Sequence, residues 1–162
     1  MLSAPVPISP AHDCSAFSCG QVTLDEWLQR RALSNHESGA SRTYVVAEGG
    51  RVLAYYALAS GGLISAEASG RFRRNMPDPI PVAILARLAI DLRCQGQGLG
   101  RALFRDAALR VMSAADVIGI RGLIVHALTD EAAAFYRALG LSASPREPRM
   151  LMATLAELRA AV

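Results

Sequence analysis

The stretch Arg93-Cys94-Gln95-Gly96-Gln97-Gly98-Leu99-Gly100-Arg101 decides the fold, because an apolar run precedes it and an amphipathic run follows it. The preceding run, residues 82–92, reads VAILARLAIDL and predicts a buried β-strand. In the following run, apolar residues recur every fourth position from Leu99 to Val111, which predicts an α-helix. This part of the chain therefore predicts a strand, a glycine-rich turn and a helix.

The glycine-rich turn has the composition of an anion-binding loop. Glycine lets the backbone turn tightly and approach a ligand with no Cβ in the way. Free N–H groups at the start of the following helix point at the ligand, and the helix dipole favours negative charge there. Arg93 and Arg101 add forked cationic donors that suit phosphate oxygens. We expect this turn to hold a diphosphate.

Two common phosphate-binding loops do not fit this turn. A P-loop needs a lysine after its last glycine, and all 17 basic residues of the chain are arginine. A dinucleotide fingerprint needs the spacing Gly-x-Gly-x-x-Gly, whereas Gly96, Gly98 and Gly100 are spaced by two. The remaining pattern, Arg-x-x-Gly-x-Gly, resembles the signature with which GNAT N-acetyltransferases hold the diphosphate of acetyl-CoA. The plain alternative is a helix start with flexible glycines.

Length and composition predict a single domain over residues 1–162. No run approaches the roughly 18 apolar residues of a membrane span, and the first residues do not read as a secretion signal. We therefore expect a cytoplasmic protein with no membrane partner. Cys14, Cys19 and Cys94 are odd in number and lack CxxC spacing, which predicts reduced thiols and no metal site. The net charge of +3 is modest for a nucleic-acid-binding protein.

Other patterns predict the elements around the central strand, turn and helix. Thr23-Leu24-Asp25-Glu26 has the spacing of a capping box, so a first helix is predicted over residues 24–36. Gly49-Gly50 predicts a hairpin between strands at 43–48 and 52–59, and Gly61-Gly62 is expected to end the second strand. We also expect an irregular segment at 66–81, a helix continuing to about residue 118 with Gly119 as its cap, a strand at 122–127, a helix at 130–139, a strand at 150–154 and a short final helix.

The order of these elements is α, ββ, β-turn-α, β, α, β. A strand, a long helix and a strand in succession predict a right-handed parallel crossover inside a mostly antiparallel sheet. This α+β layout, with a mixed sheet and flanking helices, is similar to the GNAT fold. The resemblance to the GNAT family therefore covers most of the chain and not only the glycine-rich turn.

The resemblance implies that an amine attacks the thioester of acetyl-CoA directly, and it assigns residues to that reaction. Tyr136 lies in a segment similar to the GNAT pattern A-x-x-F-Y-x-x-x-G-F, with Leu141 in place of the usual phenylalanine, which implies that it protonates the leaving sulfur. A backbone N–H near Leu88 or Ala89 is the candidate oxyanion donor. The residues expected to bind the cofactor are Leu88, Ala89, Ile90, Arg93, Gln95, Gly96, Gln97, Gly98, Gly100, Arg101 and Thr129. In the plain alternative, Tyr136 only packs on its helix. His126, Glu67 and Asp78 are candidates for a base that deprotonates the incoming amine.

The arginine- and proline-rich segment before the central strand contains Arg71-Phe72-Arg73-Arg74. A basic cluster with an aromatic ring could hold a phosphate-rich acceptor beside the thioester, although a solvated connector has the same composition. This segment, with NMPDPIP at 75–81 and ARLA at 86–89, resembles the TacT-like GNAT toxins of bacterial toxin–antitoxin modules. The resemblance implies acetylation of the α-amine of aminoacyl-tRNA, tRNA binding by Arg73 and Arg74, a homodimer and a ribbon-helix-helix antitoxin.

Two other functions remain open from the sequence. The first is acetylation of a protein N-terminus or a small amine, because any α-amine titrates below lysine and needs no strong base. The second is a non-enzymatic module that binds acyl-CoA or an antitoxin.

Overall fold

The computed structural model describes residues 2–162, and these residues form a seven-stranded sheet in the order β1-β2-β3-β4-β5-β7-β6. The strands are β1 (Val6–Pro7), β2 (Arg42–Glu48), β3 (Arg51–Leu63), β4 (Ile80–Ile90), β5 (Gly122–His126), β6 (Ser142–Ala143) and β7 (Met150–Thr154). Strands β4 and β5 run parallel, whereas the pairs β1–β2, β2–β3, β5–β7 and β6–β7 are antiparallel. The predicted mixed α+β sheet is confirmed.

Six α-helices lie between or after the strands in the described part of the chain. They are α1 (Val22–Trp27), α2 (Leu33–Ser38), α3 (Gly70–Arg73), α4 (Leu99–Ala115), α5 (Asp130–Ala138) and α6 (Leu155–Ala161). A π-helical turn at Leu28–Ala32 joins α1 to α2, and 3-10 turns lie at Ser65–Glu67 and Leu92–Cys94. Helix α4 connects the parallel strands β4 and β5, which confirms the predicted crossover. None of the helices in residues 2–162 has both the length and the apolar character that a membrane span requires.

The chain divides into two compact units. The first unit consists of the described residues up to Ala59 together with Ala86–Asp106, and the second consists of Ser60–Leu85 and Ala107–Val162. Each unit has its own cluster of buried apolar side chains. The single domain expected from the sequence stays a prediction.

Tyr55 is a central residue in the core of the first unit. Its side chain is fully buried, and its hydroxyl donates a 2.7 Å hydrogen bond to the carbonyl of Leu24. The ring of Phe17 meets it edge-on at 5.5 Å, and the ring of Trp27 stacks on it at 6.0 Å. Helix α1 therefore packs an aromatic side chain directly against the sheet. The other buried members of this core are Ile8, Cys19, Leu28, Ala32, Val45, Val52 and Ala89.

The first helix does not begin as the sequence suggested. It begins at Val22 with Gln21 as its N-cap, and no side chain caps it, so the predicted capping box at Thr23 is wrong. Asp25 instead turns back and accepts a 2.9 Å hydrogen bond from the backbone N–H of Cys19. Gly39, with a φ of 85°, ends the helical run after Ser38. The carboxylate of Asp25 thus secures the chain that leads into α1.

The pair Gly61-Gly62 does not end strand β3, which continues to Leu63. A Cβ on Gly61 would lie 2.6 Å from Cδ1 of Ile84, and one on Gly62 would lie 3.1 Å from Cβ of Pro79. Glycine is present here because a neighbouring segment approaches the backbone closely, not because the chain turns. The prediction of a strand end at this pair is therefore wrong.

Three further features of the secondary structure differ from the predictions. Helix α4 ends at Ala115, and Gly119 lies beyond a short turn without the positive φ of a helix cap. The segment at 66–81 is not irregular throughout, because it contains α3 and the start of β4. The two-residue strands β1 and β6 were missed, since two residues are too few to show an alternating pattern. Strand β7 and the final helix are confirmed, and Thr154 and Glu157 form a capping box at the start of α6.

Candidate functional site

The predicted glycine-rich turn is an open loop that leads into helix α4. Gly96 and Gly98 have φ values of 76° and 79°, a left-handed conformation that glycine adopts without strain. Within the described chain, none of the N–H groups from Gly96 to Arg101 donates a hydrogen bond, and the first helical bond runs from Ala102 to the carbonyl of Gly98. Consecutive free N–H groups at the start of a 17-residue helix form a ready site for an anion.

Asp91 and Arg93 hold the loop at its beginning. The carboxylate of Asp91 is almost fully buried and accepts hydrogen bonds from Nε of Arg93 at 2.9 Å and from Nη2 at 3.1 Å. It also accepts from the backbone N–H groups of Arg93 and Ser18. The hydrogen bonds with Arg93 lower the pKa of Asp91 to about 2. Part of the Arg93 guanidinium therefore serves the fold, and its predicted role in binding the cofactor stays a prediction.

Gln95 fastens the same loop to the N-terminal part of the chain. Its Nε2 donates to the carbonyls of Cys19 and Ile90, both at 2.9 Å. The side chain of Cys94 is buried. The side chain of Gln97 is exposed, as is that of Arg101. The side chains of Arg93 and Gln95 thus support the loop. Its backbone N–H groups and the side chains of Gln97 and Arg101 remain available to a ligand.

Strand β4 leads to this loop and extends past its parallel neighbour. Its register with β5 pairs Ala83, Ile84 and Leu85 with residues 123–125, and β5 ends one residue later, at His126. The last residues of β4, from Arg87 to Ile90, therefore continue beyond the end of β5. Backbone groups on such a strand edge can pair with an extended ligand, which is what the predicted role of Leu88–Ala89–Ile90 requires.

Helix α5 in the second unit carries Tyr136. Thr129 is the N-cap of this helix, and its side-chain oxygen accepts a 3.0 Å hydrogen bond from the N–H of Ala132. The side chain of Tyr136 is 6% exposed and meets Phe135 edge-on at 5.1 Å. Burial raises the pKa of the Tyr136 phenol, so it carries its proton at neutral pH. Thr129 therefore has a structural role, and its contact with a cofactor stays a prediction.

The basic segment of the second unit is a short helical turn, here called the basic turn (residues 69–74). Ser69 caps it, and Arg71 forms a 3.1 Å ion pair with Glu157. Arg73 and Arg74 are exposed, and neither forms an ion pair with any residue that the structure describes. Phe72 is 1% exposed and belongs to the core, so the expected use of its ring beside the acceptor is wrong. Burial of this ring is what anchors the turn.

Arg121 supports the basic turn through hydrogen bonds to its backbone, and the sequence analysis did not predict this role. Its Nε donates to the carbonyl of Phe72 and its Nη2 to the carbonyl of Arg71, both at 2.8 Å. Its own N–H donates to the carbonyl of Pro81 at 2.8 Å. A single arginine before a strand carries no recognisable pattern, so no local signal could have indicated this role.

The remaining candidates of the sequence analysis are placed as follows. His126 is exposed at the end of β5. Asp78 accepts a hydrogen bond from the N–H of Ser65, and Glu67 offers its carbonyl to the hydroxyl of Ser144. None of these contacts indicates a catalytic base.

The structure therefore assembles two groups of predicted residues, each within one unit. The first unit contains the end of β4, the glycine loop and the start of α4, and these carry nearly all the residues expected to bind the cofactor. The second unit contains Tyr136, Thr129 and the basic turn.

A strand that continues past its parallel neighbour, a left-handed glycine loop and a long helix with free N–H groups are the features of one class of acyltransferase. Residues 39–140 match the family described as "Acetyltransferase (GNAT) domain", so the chain belongs to the GNAT acetyltransferase family.

The chain is also similar to named members of this family. It is 51% identical to the tRNA-acetylating toxin of Mycobacterium tuberculosis (strain ATCC 25618 / H37Rv) over 99% of this chain and 96% of that protein. It superposes on the structure of AtaT complexed with acetyl-methionyl-tRNAfMet with a TM-score of 0.90, at 28% identity over 99% and 98% of the two chains. It superposes on a tyrosine-to-phenylalanine mutant of the AtaT toxin, bound to the C-terminus of the antitoxin AtaR and acetyl-CoA, with a TM-score of 0.83, at 28% identity over 99% and 97%.

Proposed function

We propose that the chain is an acetyl-CoA-dependent N-acetyltransferase toxin that acetylates the α-amine of aminoacyl-tRNA and so blocks translation. The observation that carries this proposal is the row of free N–H groups from Gly96 to Arg101, found in a GNAT chain that is 51% identical to a tRNA-acetylating toxin. Acetylation removes the nucleophile that peptide-bond formation needs.

The diphosphate of acetyl-CoA binds the backbone of the glycine loop in this proposal. The left-handed residues Gly96 and Gly98 turn successive N–H groups outward, and the dipole of α4 favours the negative charge. Gln97 and Arg101 are exposed and supply side-chain donors. The pantetheine arm then pairs with the free edge of β4 at Leu88–Ala89–Ile90.

The reaction forms one bond, breaks one bond and transfers protons among the reacting atoms, Tyr136 and water. The neutral α-amine attacks the thioester carbonyl, the C–N bond forms and the C–S bond breaks. The attacking nitrogen loses a proton to water, the sulfur takes one from Tyr136, and water then returns a proton to the phenolate. A backbone N–H near Leu88 or Ala89 stabilises the oxyanion. An α-amine titrates at about 8, lower than lysine, so much of it is neutral and no strong protein base is required.

The burial of Tyr136 bears on its role as the general acid. Burial raises the pKa of its phenol, which guarantees that the proton is present but makes full transfer to a thiolate in water more costly. Desolvation raises the pKa of a thiol as well, so a sulfur that leaves beside Tyr136 is a better proton acceptor than a thiolate in water. The tyrosine-to-phenylalanine substitution in the AtaT mutant is the same change that we use below.

The basic turn is the proposed contact with tRNA. Arg73 and Arg74 present two exposed guanidinium groups that no described carboxylate neutralises, and such groups bind phosphates by releasing counterions. We further propose a homodimer, a ribbon-helix-helix antitoxin as partner, and action in the cytoplasm where charged tRNA is found. The single-domain organisation belongs to the same proposal, and the family match to residues of both units supports it.

The test is transfer of labelled acetyl from acetyl-CoA to total charged tRNA. We expect transfer by the wild type and a loss of about 10²- to 10⁴-fold in Tyr136→Phe, the range for loss of a general acid. Induction of the wild type should arrest growth, and induction of Tyr136→Phe should not. The matched control is Tyr44→Phe, which removes the hydroxyl of a half-buried tyrosine on β2 and should leave the activity unchanged.

Other outcomes would favour the alternatives. Transfer to peptides or polyamines but not to charged tRNA would favour the general amine acetyltransferase. Growth arrest without any acetyl transfer would favour a binding module. Full activity of Tyr136→Phe would contradict the role of this tyrosine while leaving the substrate assignment intact.

A further inference from the structure

Arg87 lies on β4, one residue before the segment proposed to align the pantetheine arm. Its guanidinium carbon lies 4.4 Å from the ring centroid of Trp27, which is the geometry of a cation–π contact. Trp27 in turn stacks on Tyr55, with an angle of 13° between the rings, and Phe17 meets Tyr55 edge-on. These four side chains form one continuous stack in the first unit, and the arginine is its outer member.

The guanidinium of Arg87 has no polar partner in the part of the chain that the structure describes. It forms no ion pair and no hydrogen bond there, although the side chain is half-buried. A cation–π contact uses only the face of the guanidinium, so its in-plane N–H groups remain free to donate. No described carboxylate neutralises this guanidinium, so its N–H groups are available to an anionic ligand. The contact with Trp27 therefore positions the guanidinium of Arg87 and leaves its N–H groups without a hydrogen-bond acceptor in the described chain.

The position of Arg87 indicates which ligand it meets. Side chains alternate across a strand, so Arg87 shares a face of β4 with Ala89, which packs in the core beside Tyr55. Leu88 and Ile90 point to the opposite face. Arg87 also lies on the side of the Leu88–Ala89–Ile90 segment that is away from the glycine loop, which is where the thioester end of an arm extended along that segment would fall. The amine acceptor, rather than the diphosphate, must arrive at this end.

Thr43 places a buried hydroxyl on the face of the sheet that carries Tyr55. Thr43 and Val45 are two residues apart on β2, and Val45 is the register partner of Tyr55. The hydroxyl of Thr43 is fully buried and has no hydrogen-bond partner, and the same holds for the hydroxyl of the mostly buried Ser41. This face therefore carries an unpaired hydroxyl besides Arg87, and a second one lies just before β2.

We propose that Arg87, propped by Trp27, is a substrate-binding residue that takes a phosphate oxygen of the terminal nucleotide of the aminoacyl-tRNA. This inference rests on the proposed function. A planar fork of N–H groups fits two phosphate oxygens, and the phosphodiester of the terminal nucleotide is the anion nearest to the α-amine in such a substrate. The contact orients the amine end of the acceptor, whereas the basic turn contacts tRNA through exposed side chains.

The test compares the KM for charged tRNA with the affinity for acetyl-CoA. In Arg87→Met, we expect the KM for charged tRNA to rise about 10- to 100-fold, the range for losing a hydrogen bond to a charged group. Its kcat at saturating tRNA and its calorimetric Kd for acetyl-CoA should stay within about twofold of the wild type. Arg87→Lys keeps the charge without the fork and should fall in between. The matched control is Arg105→Met, which removes an exposed arginine on α4 and should behave as the wild type.

Trp27→Leu provides a second variant that leaves Arg87 in place. Loss of the aromatic face should raise the KM for charged tRNA about three- to tenfold and leave the Kd for acetyl-CoA unchanged. If Arg87→Met does not fold, as judged by its melting curve, Arg87→Lys and Trp27→Leu decide the question.

An unchanged KM for charged tRNA in the folded variants would overturn this inference. A parallel loss of acetyl-CoA affinity would also overturn it, because it would assign Arg87 to the cofactor, and so would a loss confined to kcat. A wild type that acetylates no charged tRNA would instead refute the proposed function, so the two failures are distinguishable.

Discussion

The glycine loop of the first unit and the basic turn of the second both present groups that suit an anion, but they do so with different parts of the chain. The loop presents backbone N–H groups, while hydrogen bonds of the Asp91, Arg93 and Gln95 side chains hold its conformation. The turn offers the side chains of Arg73 and Arg74, while its backbone carbonyls are bound by another arginine. The loop should therefore be sensitive to changes of backbone conformation, and the turn to changes of charge.

The largest effect in this comparison is expected for Gly98→Ala. A φ of 79° is strained for alanine by roughly 1–2 kcal/mol, and relief of that strain would rotate the N–H groups away from a diphosphate. We expect the Kd for acetyl-CoA, measured by calorimetry, to rise about 10- to 100-fold. Gly49→Ala is the matched control, because Gly49 has a φ of 57° in the β2–β3 hairpin and no atom nearby. It should lose similar stability and keep its affinity, and equal losses of affinity would contradict the backbone cradle.

A smaller effect is expected when the charge of the basic turn is reversed. Arg73→Glu with Arg74→Glu should weaken binding of charged tRNA about tenfold or more and flatten the dependence of binding on salt, because fewer counterions are released. The affinity for acetyl-CoA should not change. Reversal of the exposed Arg105 and Arg159 alters the net charge equally and serves as the control. If both pairs weaken tRNA binding to the same extent, the basic turn has no specific role.

A weaker effect of the same kind is expected for Arg121→Met. This substitution removes both 2.8 Å hydrogen bonds to the carbonyls of the basic turn and leaves Arg73 and Arg74 in place. The turn should become more mobile, so the KM for charged tRNA should rise several-fold while kcat stays the same. Faster hydrogen exchange of the amides at 70–76 would accompany this rise. Unchanged exchange would show that Phe72 alone holds the turn.

The smallest effect concerns the support of the glycine loop at low pH. Because the pKa of Asp91 is lowered from 3.8 to about 2, its ion pair stabilises the folded state above pH 4 and is lost as the pH falls through 2. The contribution should be about 1 kcal/mol, since solvent screens the half-exposed Arg93. Urea unfolding of the wild type and Asp91→Asn should therefore differ by this amount at pH 5 and converge toward pH 2. A difference that does not change with pH would contradict the role of this charge.

Sequence patterns were sufficient where the cause of the structure is local. The glycine loop and the start of α4 were predicted because a left-handed glycine and an apolar repeat lie within a few residues of each other. Strand β7 was predicted with its bounds for the same reason. The pair Gly61-Gly62 was misinterpreted, because glycine serves both for turns and for close approach, and only Ile84 and Pro79 distinguish the two.

The sequence by itself determined the order of the elements and the glycine-dependent backbone of the loop, because both depend on neighbouring residues. Only the tertiary structure decided which side chains remain available to a ligand. Gln95 meets Cys19 across 76 positions of the chain, and Arg121 meets Phe72 across 49, separations that no periodicity reveals. The same holds for Arg87, whose free fork of donors depends on Trp27. Local sequence specifies backbone conformation, whereas the partners of a polar side chain are chosen by residues that only folding brings near.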